Sequence, residues 1–191
     1  MAKILVLDNY DSFTYNLVHC LERERTHQVV VVRNDEVDLE EVAGFDGVVL
    51  SPGPGIPSEA GQLLALIDKY KGRKRIFGVC LGLQAIVEVF GGKLQNLSEV
   101  FHGVSCPVRL IGPGHYLFSG MTSGFMAGRY HSWVADRESL PGVLRIDAVD
   151  DHGYIMALSH QQYDICGVQF HPESILSPEG ETMISNWLNQ F

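Results

Sequence analysis

Cys80 sits in the run Gly78-Val79-Cys80-Leu81-Gly82, where an apolar stretch gives way to the helix-like segment LQAIVEVF. Glycine, any residue, nucleophile, any residue, glycine is a pattern that turns a strand sharply into a helix. It leaves the central side chain strained and exposed at the carboxyl edge of a sheet. A helix beginning just after the cysteine brings its positive dipole end to the sulfur and favours the thiolate, the form that attacks a carbonyl carbon. The same five residues also fit a buried structural cysteine, the commoner role of a free thiol. The pattern alone leaves both readings open.

A thiol nucleophile needs a base, and His171 and Glu173 supply a candidate pair. The apolar run ICGVQF ends in His171-Pro172-Glu173, and the proline cannot continue a ladder, so a strand stops there. A carboxylate two residues beyond the histidine can hold one ring nitrogen and leave the other facing the thiol. Taken by itself, His-Pro-Glu is a polar turn; paired with the glycine-flanked cysteine it becomes a base and its orienting acid. The third element is LSPGPGIPSEAG, residues 50–61. Its prolines stiffen the loop while its glycines let backbone N–H groups approach a ligand, as an oxyanion site requires. It is not a phosphate loop, because it lacks the Lys-Ser/Thr pair and Pro52 and Pro54 carry no N–H. A rigid turn is the plainer alternative.

These groups need elements that bring them to one place. KILVL (3–7), QVVVVR (28–33), GVVL (47–50) and RIFGV (75–79) read as strands. Between them the pattern predicts helices: one capped by Asp11 or Ser12 and running towards Glu24, one beginning at Ser58 after Pro57, and one stopped by Gly91-Gly92. Alternating strands and helices with short connections imply an α/β fold, an open and mostly parallel sheet flanked by helices. The second half changes character. SCPVRLI, FMAGRYHSWV, LRIDAVD, IMALSH and DICGVQF are strand-like with little helix between them, which implies a mixed or antiparallel extension. A closing helix is expected in SPEGETMISNWLNQF, capped by Ser177 with Pro178 at its first position. No linker or repeat divides the 191 residues, so residues 1–191 are read as one domain.

Composition narrows the function. The formal net charge is −9, and the short basic run KYKGRKR is the one cluster of cations; it suits a helix C-terminus better than nucleic acid. No apolar stretch approaches the roughly 20 residues of a membrane helix, and the start reads as a first strand rather than a signal peptide. Four scattered cysteines, with no C-x-x-C pair and no ligand spacing among Cys and His, argue for a reducing, cytoplasmic setting and against a zinc site.

Five segments together, SPGPG…SEAG, GVCLGLQAI, RYHSWV, FHPESILSPEG and LDNYDSFTYNL (7–17), resemble the class I, triad-type glutamine amidotransferases across the whole chain. The likeness is nearest to the small glutaminase subunits of anthranilate synthase and aminodeoxychorismate synthase. The resemblance implies a flavodoxin-like sheet and a Cys80-His171-Glu173 triad that releases ammonia from L-glutamine through a glutamyl thioester. It implies an oxyanion hole from the backbone N–H groups of Gly53 and Leu81, and substrate contacts from Gly53, Pro54, Gly55, Gln84, Ser132 and Trp133. The partner it implies is a chorismate-binding large synthase subunit, with residues 10–14 in the docking surface, and Mg2+ is expected in that partner rather than a metal or cofactor in this chain. Leu83 and Trp133 depart from the residues common in relatives: Leu83 is expected to pack and Trp133 to narrow the pocket. His131 is expected to buttress the substrate segment, and His102 fits either a partner contact or a structural turn. The rival readings are a stand-alone thiol hydrolase, which the glutamine-loop motifs oppose, and a retired binding module, which the intact triad opposes. Anthranilate synthesis is preferred, with aminodeoxychorismate synthesis, or service to both, as the alternative.

Overall fold

The computed structural model of the chain describes residues 1–23, 26–98 and 100–191. In chain order the elements are β1 (Lys3–Asp8), α1 (Thr14–Glu22), β2 (Gln28–Arg33), β3 (Gly47–Leu50), α2 (Leu63–Tyr70), β4 (Arg75–Val79), α3 (Leu81–Val89), β5 (Leu94–Asn96), β6 (Val104–Leu110), β7 (Gly124–Arg129), β8 (Trp133–Ala135), β9 (Leu144–Asp150), β10 (Ile155–His160), β11 (Ile165–Val168) and α4 (Gly180–Leu188). Nine strands form one sheet in the order β2-β1-β3-β4-β11-β10-β9-β6-β7, and β5 pairs with β8 in a small separate ribbon. The first five strands of that order are parallel and the rest antiparallel. This is the open α/β sheet with an antiparallel extension that the sequence pattern implies.

Both faces of the parallel half are covered, which is why its strands read as continuous apolar runs rather than alternating ones. Ile4 and Val6 of β1 face a core shared with α1 and α4, through Leu17, Leu21, Met183 and Trp187. Leu5 and Leu7 face the opposite core, filled from α2 and α3 by Leu63, Leu66, Leu83 and Ile86. The two-residue period of the strand sorts neighbouring side chains into two layers.

Several boundaries differ from the sequence expectation. α1 is preceded by Phe13, with no side-chain cap; Asp11 instead folds back, its carboxylate accepting from the Phe13 N–H at 2.8 Å. The expected reach to Glu24 lies outside the described residues. Residues 57–59 form a short 3-10 turn and α2 begins only at Leu63. Gly61, with φ of 52°, breaks the helix because it packs on the backbone of Asn34, where a Cβ would come within 2.7 Å of the Asn34 oxygen. Residues 125–134 are two strands, β7 and β8, separated by Tyr130–Ser132. Ser177 does not cap α4. Its hydroxyl donates to the His171 carbonyl at 2.7 Å and accepts from the Gly128 N–H at 2.9 Å, so it ties the loop after β11 to the edge strand β7. No helix among the described residues is long and apolar enough to cross a membrane.

Candidate active site

The register of the parallel strands sets Leu7, Leu50, Gly78 and Gly167 on neighbouring positions. The chain leaves each of these strands at the same edge, where open α/β sheets bind ligands. Asn9 follows β1, Ser51–Gly53 follow β3, Cys80 follows β4, and Gln169–Glu173 follow β11.

Cys80 has φ of 52° and ψ of −101° and stands directly before α3. A non-glycine residue held there costs on the order of 1–3 kcal/mol, which surrounding packing must offset. That packing is glycine against backbone: a Cβ on Gly78 would lie 2.5 Å from the Gly82 carbonyl carbon, and one on Gly82 would lie 2.6 Å from the Leu50 oxygen. The Cys80 N–H donates to the Val168 carbonyl at 2.8 Å, locking the elbow to β11. Leu81 is the first residue of α3, so its N–H has no intrahelical acceptor and remains available to an anion. Leu83 packs in the core against Gly167.

His171 and Glu173 are both buried, and His171 Nδ1 is 2.7 Å from Glu173 Oε1. Among the described residues Nε2 has no hydrogen-bond partner and is the nitrogen left for the thiol. Burial pushes the imidazole down, but Cys80 and Glu173 push it up more strongly, to about 10. The ring therefore holds its proton at neutral pH. Two aromatic rings fix its plane: Phe13 edge-on with centroids 5.3 Å apart, and Tyr130 tilted at 4.8 Å. Tyr130 is itself held by Ser174, oxygen to oxygen 3.1 Å.

Gly53, Pro54, Gly55, Cys80, Gln84, Tyr130, His131, Ser132 and Trp133 line one cavity of about 140 Å³. The structure thus brings all six expected substrate-contact residues to the sulfur. Gly53 is wedged in place, since a Cβ would come within 2.6 Å of both Asn9 Cβ and Leu81 Cδ2. Asn9 braces the loop from behind: its N–H donates to Ser51 Oγ at 2.8 Å and its side-chain amide to the Ser51 carbonyl at 2.9 Å. A larger hollow, about 610 Å³ beside Arg137 and His152, contains neither the strained cysteine nor the histidine pair, so size does not select the site.

The far wall is a buried polar network. Arg129 pairs with Asp150 at 2.6 Å and donates through Nε to His131 Nε2 at 3.1 Å. That bond puts the His131 proton on Nδ1, which donates to the Trp133 carbonyl at 3.0 Å. Burial and the neighbouring guanidinium push His131 down to about 3, so it is neutral. Gln84 Nε2 donates to the same carbonyl at 2.9 Å. With both lone pairs of Trp133 O taken and one of Ser132 O occupied by the Leu97 N–H, the Ser132–Trp133 pair keeps its free carbonyl lone pair on Ser132.

Sequence reasoning does not find Asn9, Phe13, Tyr130 or Gln169 as site residues. Phe13 and Tyr130 stand inside segments notable for other reasons, and a local clue exists only for Gln169, which directly precedes the Phe-His-Pro-Glu run. Among the described residues no group of three or more His, Cys, Asp or Glu side chains is placed to hold a metal ion.

The family model for class I glutamine amidotransferases matches residues 5–191. Anthranilate synthase component 2 of Lactococcus lactis is 46% identical over 98% of this chain and 94% of its own length. Aminodeoxychorismate synthase component 2 of Escherichia coli is 42% identical over 98% of this chain and 100% of its own length. A bifunctional TrpGD protein of Thermotoga maritima is 43% identical over 99% of this chain, which spans 32% of that longer relative. The crystal structure of a Thermoplasma acidophilum protein described as a GMP synthase subunit superposes with a TM-score of 0.87 at 26% identity, covering 99% of this chain and 93% of that one. A strained cysteine backed by a buried histidine–carboxylate pair is thus accompanied by family-wide similarity over nearly every residue, and the chain belongs to the class I glutamine amidotransferases.

Proposed function

We propose that residues 1–191 form a single glutaminase domain that hydrolyses L-glutamine and delivers ammonia to a chorismate-using large subunit. The observation that carries this reading is the positive-φ Cys80 opening into the cavity of Gly53–Gly55 and Tyr130–Trp133, with the His171–Glu173 pair against it.

The Cys80 thiolate attacks the side-chain carboxamide carbon of glutamine. The N–H groups of Gly53 and Leu81 hold the resulting oxyanion, an interaction that strengthens as charge develops. The tetrahedral intermediate collapses as protonated His171 gives its proton to the departing nitrogen, which leaves as ammonia. The neutral imidazole, oriented by Glu173, then takes a proton from water as the water attacks the thioester. A second collapse releases glutamate and restores the thiolate and imidazolium. Gln84 has both amide hydrogens committed to carbonyls, which leaves Oε1 as its atom for the substrate.

The relatives' names support a component 2 role and divide between two products, anthranilate and aminodeoxychorismate. Our preferred reading is anthranilate synthesis in the cytoplasm, with aminodeoxychorismate synthesis, alone or in addition, as the second. No cofactor is assigned to this chain; Mg2+ belongs to the partner's chorismate site. The test is to mix the purified chain with each type of large subunit, glutamine and chorismate, and identify the amine formed. Anthranilate formation that is abolished by Cys80→Ser, yet recovered in that variant with added ammonium, supports the reading. Formation of aminodeoxychorismate alone selects the alternative. If neither product forms with glutamine while both large subunits work with ammonium, the coupled role is wrong.

A further inference from the structure

We propose that Gln169 is a further residue of the glutaminase reaction, its side-chain amide donating to the Cys80 sulfur in an orientation dictated by Gln84. This rests on the glutaminase reading above. Gln169 follows β11 and is completely buried. Its backbone N–H donates to the Met156 carbonyl at 2.9 Å, which fixes where the side chain starts. Its Nε2 lies 3.5 Å from Cys80 Sγ, and its Oε1 accepts from Gln84 Nε2 at 3.3 Å.

The two amides are not free to turn over. Gln84 Nε2 has two hydrogens and meets two carbonyl oxygens, those of Trp133 and Gln169. A flipped Gln84 would set oxygen against oxygen at both contacts. With Gln84 donating, Gln169 must present its oxygen to Gln84 and its nitrogen to the sulfur. A chain of fixed donors thus runs from the substrate wall to the nucleophile. A buried N–H aimed at sulfur favours the thiolate over the thiol, because hydrogen bonding to the charged form stabilises it. It also holds Sγ at one position when the histidine has passed on its proton. The titratable groups bearing on Cys80 are His171, with Glu173 and His131 behind it; Gln169 adds an uncharged donor from the other side.

The test compares wild type with Gln169→Glu and Gln169→Met, neither of which adds a branch at Cβ. Glutaminase kinetics are measured in the complex with the large subunit. Separately, the rate of iodoacetamide alkylation at Cys80 is followed against pH by peptide mass analysis. The donor role predicts that kcat falls about tenfold or more with KM changed less than threefold. It predicts that the midpoint of Cys80 alkylation moves up by about one pH unit in both variants, and further in Gln169→Glu, where a carboxylate faces the sulfur. Thermal unfolding identifies any variant that fails to fold, and the alkylation profile of the other then decides. A midpoint unchanged in a folded variant overturns the inference. Alkylation requires no glutamine turnover, so an inactive wild type would count against the proposed function, whereas an active wild type with unshifted variants would count against Gln169 alone.

Discussion

Phe13 lies edge-on against His171, with ring centroids 5.3 Å apart and planes at 71°. This contact joins the loop between β1 and α1 to the proposed base. The same loop begins with Asn9, which holds Ser51 and abuts Gly53. One short segment therefore touches both the imidazole and the loop proposed to hold the oxyanion; Tyr10 within it, and Tyr15 at the start of α1, are exposed. We propose that a large subunit docked on residues 10–14 acts on the site directly through Phe13 and through the neighbouring Asn9.

Replacing Phe13 with Ala should loosen the imidazole without touching substrate. We expect kcat of the complex to fall about tenfold, with KM within threefold, since misorientation of a catalytic group costs rate rather than binding. Steady-state glutaminase assays of F13A in the complex check this; a change confined to KM would contradict it.

The proton on His171 links stability to pH. Its folded-state value is raised from the ordinary 6.5 to about 10, so the native state retains a proton that the unfolded chain releases. The stabilisation is complete below about pH 6.5 and is lost as pH rises through about 10. Urea unfolding of wild type across pH 6–10 should show stability declining over that window, and His171→Asn should remove that part of the slope.

Gly53→Ala forces a methyl group to within 2.6 Å of Asn9 and Leu81 side-chain atoms. The loop must move away from them, carrying its N–H off the oxyanion position. Loss of one such donor costs about 10²–10³ in kcat. Because Gly53 also lines the cavity, KM should rise too, and circular dichroism should report an intact fold.

Asp150 is buried against Arg129 and also accepts from the N–H groups of His152 and Tyr154. Asp150→Ala leaves the guanidinium buried without its counter-ion, at a cost of about 3–5 kcal/mol. Arg129 holds His131, and His131 holds the Trp133 carbonyl, so glutamine KM should rise in whatever fraction remains folded. Denaturant unfolding and glutaminase assays of D150A check both effects. An unchanged KM in folded D150A would separate this network from the substrate wall.

The parallel half of the fold is legible because each strand is a short apolar run separated from the next by a helix-like stretch or turn residues, and because Cys80 and His171 both stand just past such runs. The start of α2 is not. Ser58 after Pro57 is a sound local start signal, but Gly61 packs on Asn34, far away in sequence, and that contact delays the helix. Ser177 has the type and position of a cap, yet its hydroxyl is claimed by Gly128 and His171. Gln169 and Phe13 escape for the same reason. Gln169 reaches a sulfur 89 residues away, and only strand order reveals which side chains meet there.

The central claim is that Cys80 forms a covalent glutamyl thioester, and the most direct test is to trap it. The complex is mixed with radiolabelled glutamine, quenched in acid, and digested for peptide mapping. The account predicts label on the Cys80 peptide of wild type, lost on treatment with hydroxylamine and absent from Cys80→Ala. Glutamate release by wild type without label at Cys80, or continued release by Cys80→Ala, would contradict it.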